Sequence, residues 1–155
     1  MKRLMIAVFS LLAINSAQAQ SSQSEMEQIA QHYFEAMVAS QAPNATDKEL
    51  ENYLALLTDD VGHQHLPYQT DDSRAADGKQ SMRKGMTFYL GAHTEYKAEL
   101  LNLFTFNDSA IAIRYRHSAK GIHPQTKQEN SYTSIMMEVL EIEDEKVAVI
   151  RKYHE

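Results

Sequence analysis

The chain of 155 residues contains no cysteine. That excludes disulfides, a thiolate nucleophile and thiolate metal ligation, and leaves the fold to be held by its core alone. Basic residues are scarce too. Lys and Arg number 15 against 21 Asp and Glu, a formal net charge of −6, and no basic stretch exceeds two residues. A nucleic-acid partner is therefore not expected. Long apolar runs are also missing: the one candidate, Leu4 to Ile14, covers eleven residues, about half of what a permanent bilayer-crossing helix needs.

That run suits a different use. Met1-Lys-Arg precedes it and Ala17-Gln-Ala19 follows it, which together make the charged start, apolar middle and small-residue cleavage site of a secretory signal. Cleavage after Ala19 is expected, with an uncleaved anchor as the alternative, and the style of the signal suits a bacterial periplasmic protein. No cysteine marks a lipid-attachment site. Removing the first 19 residues leaves 136, and losing Lys2 and Arg3 takes the formal charge from −6 to −8. The expected organisation is a signal over 1–19 and a single domain over 20–155. No stable membrane insertion is expected after cleavage.

The domain is organised around Leu57-Thr-Asp-Asp-Val-Gly-His-Gln-His-Leu-Pro67. Thr58, Asp59 and Asp60 compete for backbone groups and break a helix, and a strand should follow. Side chains alternate along a strand, so Val61, His63 and His65 share one face. Before this stretch, Met26, Ile29, Ala30, Tyr33, Phe34 and Met37 recur at helical spacing from Glu25 onward. Thr46-Asp-Lys-Glu49 has the spacing of a capping box, opening a second helix with Leu50, Tyr53, Leu54 and Leu57 on its face. Pro67 to Gly78, with three Asp, reads as an exposed loop, either a lid or a solvated connector. A third helix is expected over Lys79 to Leu90, ended by Gly91. The rest reads as an antiparallel meander of about four strands, with turns at Asn107-Asp-Ser and Glu143-Asp-Glu. Three helices on a curled sheet make an α+β arrangement, with the helices covering the concave face.

In order and in residues, these elements resemble the nuclear-transport-factor-2-like superfamily, in particular its ketosteroid-isomerase and SnoaL-like polyketide-cyclase branches. The carrying segments are Gln31-His-Tyr-Phe-Glu-Ala-Met37, Leu57-Thr-Asp-Asp-Val61, Gly78 to Leu90, and Leu140 to Val147 with Ile150-Arg-Lys-Tyr-His154. They span nearly the whole mature chain. The resemblance implies a cystatin-like, NTF2-like fold: a cone-shaped α+β barrel enclosing one apolar pocket. It also implies site residues. Tyr33 matches the first-helix tyrosine that ketosteroid isomerases aim at the developing oxyanion. His65 falls where that family has its proton-shuttling aspartate, two residues before Pro67 rather than one, and Glu138 falls at its second oxyanion-hole acid. His154 replaces a pocket tryptophan, while Tyr115 and His117 lie on the pocket-facing phase of their strand.

Proton transfer beside a carbonyl needs a base near neutral pKa and donors for the oxygen that gains charge. His65 fits the first role, and Tyr33 with a protonated Glu138 the second, since an apolar pocket raises a carboxyl pKa. The alternative leaves Glu138 ionised and paired with His65 or His117. His63, Tyr115, His117, Met136 and His154 are expected to line the site. A metal held by His63, His65 and either His117 or Glu138 is the chemical rival; the expectation is no metal and no cofactor. Identity changes at two of the three catalytic positions put steroid isomerisation itself in question. The expected function is a pocket for a small, mostly apolar molecule, either in a cofactor-independent isomerase, cyclase or dehydratase or in a non-catalytic binding protein. An envelope interaction domain without ligand is the third alternative, and a homodimer through the outer sheet face is expected.

Overall fold

Residues 25–40 form the first helix, α1. It buries Met26, Ala30, Tyr33, Phe34 and Met37, the stripe that its periodicity predicts. The computed structural model describes residues 23 and 25–155; the export signal expected over residues 1–19 and the mature start at Gln20 lie outside them. Helix α2 (Asp47–Leu54) opens on the expected capping box. Thr46 Oγ1 accepts from the Lys48 N–H, and the Glu49 carboxylate accepts from the Thr46 N–H at 2.9 Å. Its buried residues are Leu50, Tyr53 and Leu54, each side chain worth about 1.5–3 kcal/mol relative to exposure.

Strand β1 (Leu57–His65) begins earlier than expected and takes Thr58, Asp59 and Asp60 into the strand. Helix α3 (Gly78–Tyr89) buries no residue fully, and the chain turns away from it through Gly91 at φ +70°, a conformation that costs glycine little. Four long strands follow: β2 (His93–Phe106), β3 (Ala110–Ile122), β4 (Glu129–Glu143) and β5 (Lys146–His154). Asp144 and Glu145 both take positive φ in the β4 to β5 hairpin, as the twist of a two-residue hairpin turn demands.

The sheet order is β1-β5-β4-β3-β2, with β1 parallel to β5 and every other pair antiparallel. This is a five-stranded mixed sheet in which the meander is joined at one edge by the histidine strand. Bulges in β1 between Leu57 and Gly62 and in β2 between Leu100 and Asn102 bend it. The sheet curls without closing, because β1 and β2 remain edges. The expected arrangement of three helices on a curved, mainly antiparallel sheet is thus present, as an α+β fold whose sheet is not closed. The core sits between α1, α2 and the inner faces of β3, β4 and β5, through Ile111, Ile113, Leu140, Val147 and Ile150. Among the described residues no helix is long and apolar enough to cross a membrane.

Candidate functional site

On the inner face of β4, Ser134, Met136, Glu138 and Leu140 follow one another by the strand period. Glu138 is 0% exposed. In the antiparallel register it faces Lys152 of β5 directly, and Lys152 Nζ lies 2.7 Å from Glu138 Oε1. Tyr115 donates its hydroxyl to the same oxygen at 2.6 Å, and Tyr33 donates to Oε2 at 2.7 Å. Because Tyr33 gives its only proton to the carboxylate, Tyr53, 3.1 Å away, donates to Tyr33. Two tyrosines and a lysine thus converge on one buried carboxylate, with a third tyrosine behind Tyr33.

Burial by itself raises the Glu138 pKa, but the Lys152 ammonium, together with the hydrogen bonds from Lys152, Tyr115 and Tyr33, outweighs it and holds the carboxyl below its ordinary value. Glu138 is therefore ionised. The expected protonated donor is not what this geometry supports, and the alternative pairing with His65 or His117 is replaced by a pairing with Lys152. Burial first, then the negative charge of Glu138, pushes Tyr33, Tyr53 and Tyr115 above the usual phenol range. They stay protonated and remain donors.

Above this network lies a cavity of about 330 Å³. Its apolar side includes Met37, Met82, Met86 and Met136, and its polar side includes Lys152 and four histidines, His63, His65, His117 and His154. Tyr115 and Tyr53 also reach its wall, whereas Tyr33 and Glu138 do not line it. The structure brings together every residue expected at the site but splits them into two layers. His63, His65, Tyr115, His117, Met136 and His154 meet the cavity; Tyr33 and Glu138 sit behind Lys152.

His65 and His154 meet Nε2 to Nε2 at 2.5 Å, with ring planes 4° apart and centroids separated by 4.7 Å. That separation is no more than the N···N contact plus the two ring radii, so the rings lie edge to edge in one plane rather than face to face. One of the two nitrogens must donate and the other accept. The ring of Tyr68 stands perpendicular to both, 5.9 Å from each. Burial, then Lys152, His154 and His63, lower the His65 pKa to about 4 against an opposing pull from Glu138. His63 is lowered by burial and then by Lys152, and His117 by burial, Lys152 and His154. All three are neutral near pH 7. Both ring nitrogens of His117 are buried without a partner among the described residues, and Tyr96, Tyr115 and Tyr132 surround its ring at 5.4–6.0 Å.

Among the described residues, no group of three or more His, Asp or Glu side chains is placed to hold a metal ion. Of the histidines away from the cavity, His93 hydrogen-bonds the Gln41 carbonyl and His123 accepts from the Gln125 and Thr126 N–H groups in its loop. Sequence reasoning missed Lys152, Tyr53 and Tyr96. A signal for Lys152 was present: if His154 of β5 faces the pocket, the residue two before it does as well. Tyr53 had no such signal, because its helical position marked it only as core.

No family model matches the chain, and no curated protein does. Solved structures do resemble it. An NTF2-like protein from Anabaena variabilis is 16% identical, covering 84% of this chain and 90% of that one, with a TM-score of 0.62. A candidate polyketide cyclase from Xanthomonas campestris is 13% identical over 86% and 93%, with a TM-score of 0.63. An LEH-like epoxide hydrolase from Mycobacterium tuberculosis is 13% identical over 86% and 84%, with a TM-score of 0.58. At these identities the likeness shows the fold, which is NTF2-like.

Proposed function

We propose, with the NTF2-like fold as premise, that the chain is a cofactor-independent enzyme which moves a proton beside a carbonyl-type oxygen of a small, mostly apolar molecule. The reaction class is isomerisation, cyclisation or dehydration. One observation carries this reading: neutral imidazoles and one ammonium share the walls of a single cavity. A base must be unprotonated before it acts, and His65 is, with His154 in line to share the proton it takes up. Lys152 is the donor for the oxygen that gains charge. Glu138, Tyr33 and Tyr115 act as positioning residues, because they fix the ammonium from behind. His63, His117 and Met136 bound the ligand. The proton leaves carbon for His65 and returns to carbon or oxygen, so no co-reactant is required.

The test needs no knowledge of the natural substrate. Simple ketones are incubated with the protein in heavy water and their α-deuteration is followed by NMR. Exchange faster than in buffer, reduced about 10²- to 10⁴-fold in His65→Gln, is the expected result. The rate should hold steady below the ordinary imidazole value of 6.5 and decline near about 4. Ketone binding without accelerated exchange would instead make the chain a binding protein.

Two wider features belong to the same proposal. The charged start, apolar run and Ala17-Gln-Ala19 support export to a periplasm. On the outer sheet face Phe104 and Phe106 are 63% and 70% exposed, and Phe104, Ala112 and Val139 form one row across three strands. An apolar row of this kind supports a homodimer, and a monomer mass by light scattering would remove it.

A further inference from the structure

A second cavity lies against the first. It holds about 590 Å³ and shares His63, His65, Met82 and Met86 with the inner one, so the two adjoin across these four side chains. Nothing in the proton-transfer reading uses it. Three elements wall it, each with its own period. Strand β1 forms the floor through Val61, His63 and His65. The segment after it forms one side through Gln69, Asp71, Ser73, Ala75 and Asp77, every second residue, which is the pattern of an extended chain. Helix α3 forms the other side through Ser81, Met82, Gly85, Met86 and Tyr89, one helical face.

The groove is built rather than left over. The residues between the lining positions pin the extended segment to the body: Arg151 donates to Asp72 at 2.6 Å, and Arg74 donates to Asp60 at 2.8 Å and to Glu143 at 2.6 Å. Its backbone comes so close to β1 that a Cβ on Gly62 would lie 2.1 Å from the Asp72 carbonyl oxygen. Gly85 is the opposite case. A Cβ there would meet nothing within 4 Å, yet glycine in a helix interior is less stable than alanine. Packing does not require the missing side chain, and its absence leaves the groove wider at this point.

The walls shared with the inner cavity place the groove where the remote part of the same ligand would lie. Among the described residues no Lys or Arg lines it, while Asp71 and Asp77 do, so an anionic tail is disfavoured. Val61, Met82 and Met86 offer apolar surface with the adaptable packing of thioethers. We infer that the groove between β1, residues 69–77 and α3 is the tail site for an elongated neutral ligand, an alkyl or isoprenoid chain whose reactive head occupies the inner cavity. The identity of the head rests on the proton-transfer reading; the tail site does not.

The experiment is calorimetric titration of the purified chain with 2-alkanones of increasing length, in the wild type and in Gly85→Leu. Leucine favours a helix and the space beside residue 85 is open, so the variant is expected to fold. In the wild type each added methylene should tighten binding about two- to fourfold while the groove fills. In Gly85→Leu that gain should stop at a shorter chain, and an oxo acid carrying a terminal carboxylate should bind more weakly than the neutral ketone of equal length. A gain that stops at the same length in both proteins, or an anionic chain bound as tightly as a neutral one, overturns the tail site. The same dependence with n-alkanols in place of ketones supports the tail site while counting against the carbonyl head.

Discussion

The inner cavity and the α3 groove adjoin, yet they are held in different ways. The inner wall is sheet, and behind it lies an ion pair between Lys152 and a Glu138 that is 0% exposed, closed by donating tyrosines. The groove is walled by a helix with no fully buried residue and a segment tied down by exposed ion pairs such as Arg74 with Asp60 and Glu143. A charge out of water must have its partner or it destabilises the fold, whereas exposed pairs are screened and contribute little. Position is therefore enforced where chemistry is proposed, and shape alone is maintained where a chain would lie.

Removing one member of the buried pair gives the largest separation between the two regions. Lys152→Met leaves Glu138 uncompensated and should cost about 3–5 kcal/mol in denaturant unfolding, with part of the loss recovered when Glu138→Gln is added. An unchanged midpoint would take the ion pair out of this account.

Acid should weaken the inner region next. His63, His65 and His117 are lowered by burial and by Lys152, so the unfolded chain binds more protons than the folded one, and stability falls with pH. For His65 the loss begins near the ordinary 6.5 and is complete below about 4. Glu138, held below 4.5, contributes stability above that value, and this is lost as pH falls through its folded pKa. A midpoint that stays level from neutral pH down to about 4 would mean that these groups are solvated.

The smallest effects belong to the groove. Arg83→Ala removes a two-pronged contact to Glu51 at 2.6 and 2.9 Å, but both side chains are exposed, so the unfolding midpoint should not move measurably. Gly85→Ala should raise stability by about 0.5–1 kcal/mol. A loss there would mean that the helix is under a constraint other than the groove.

Much of this is legible in the sequence. The stripe from Met26 to Met37, the capping box at Thr46 and the hairpin turn at Asp144 are local patterns, and local patterns survive folding because each depends on residues within one turn or one strand period. The phase of His63 and His65 was legible for the same reason. Lys152 was within reach of the strand period from His154, though a lysine near a terminus suggests solvent first. The direction of Tyr33 was not legible. A helical face says that a tyrosine is buried, not whether its hydroxyl meets a ligand or a carboxylate 105 residues away.

The sequence by itself determined the secondary elements, the α+β class, the lack of disulfides and the collection of polar residues on inward phases. Only the tertiary structure decided that β1 adds to the sheet parallel to β5, that the sheet stays open, that Glu138 answers to Lys152 rather than to a histidine, and that the exposed residues 69–77 also wall a groove. The physical reason is range. Periodicity is set by the backbone of each segment, whereas the charge state of a buried carboxylate and the width of a cavity are set by which distant segments meet and by what each withdraws from water.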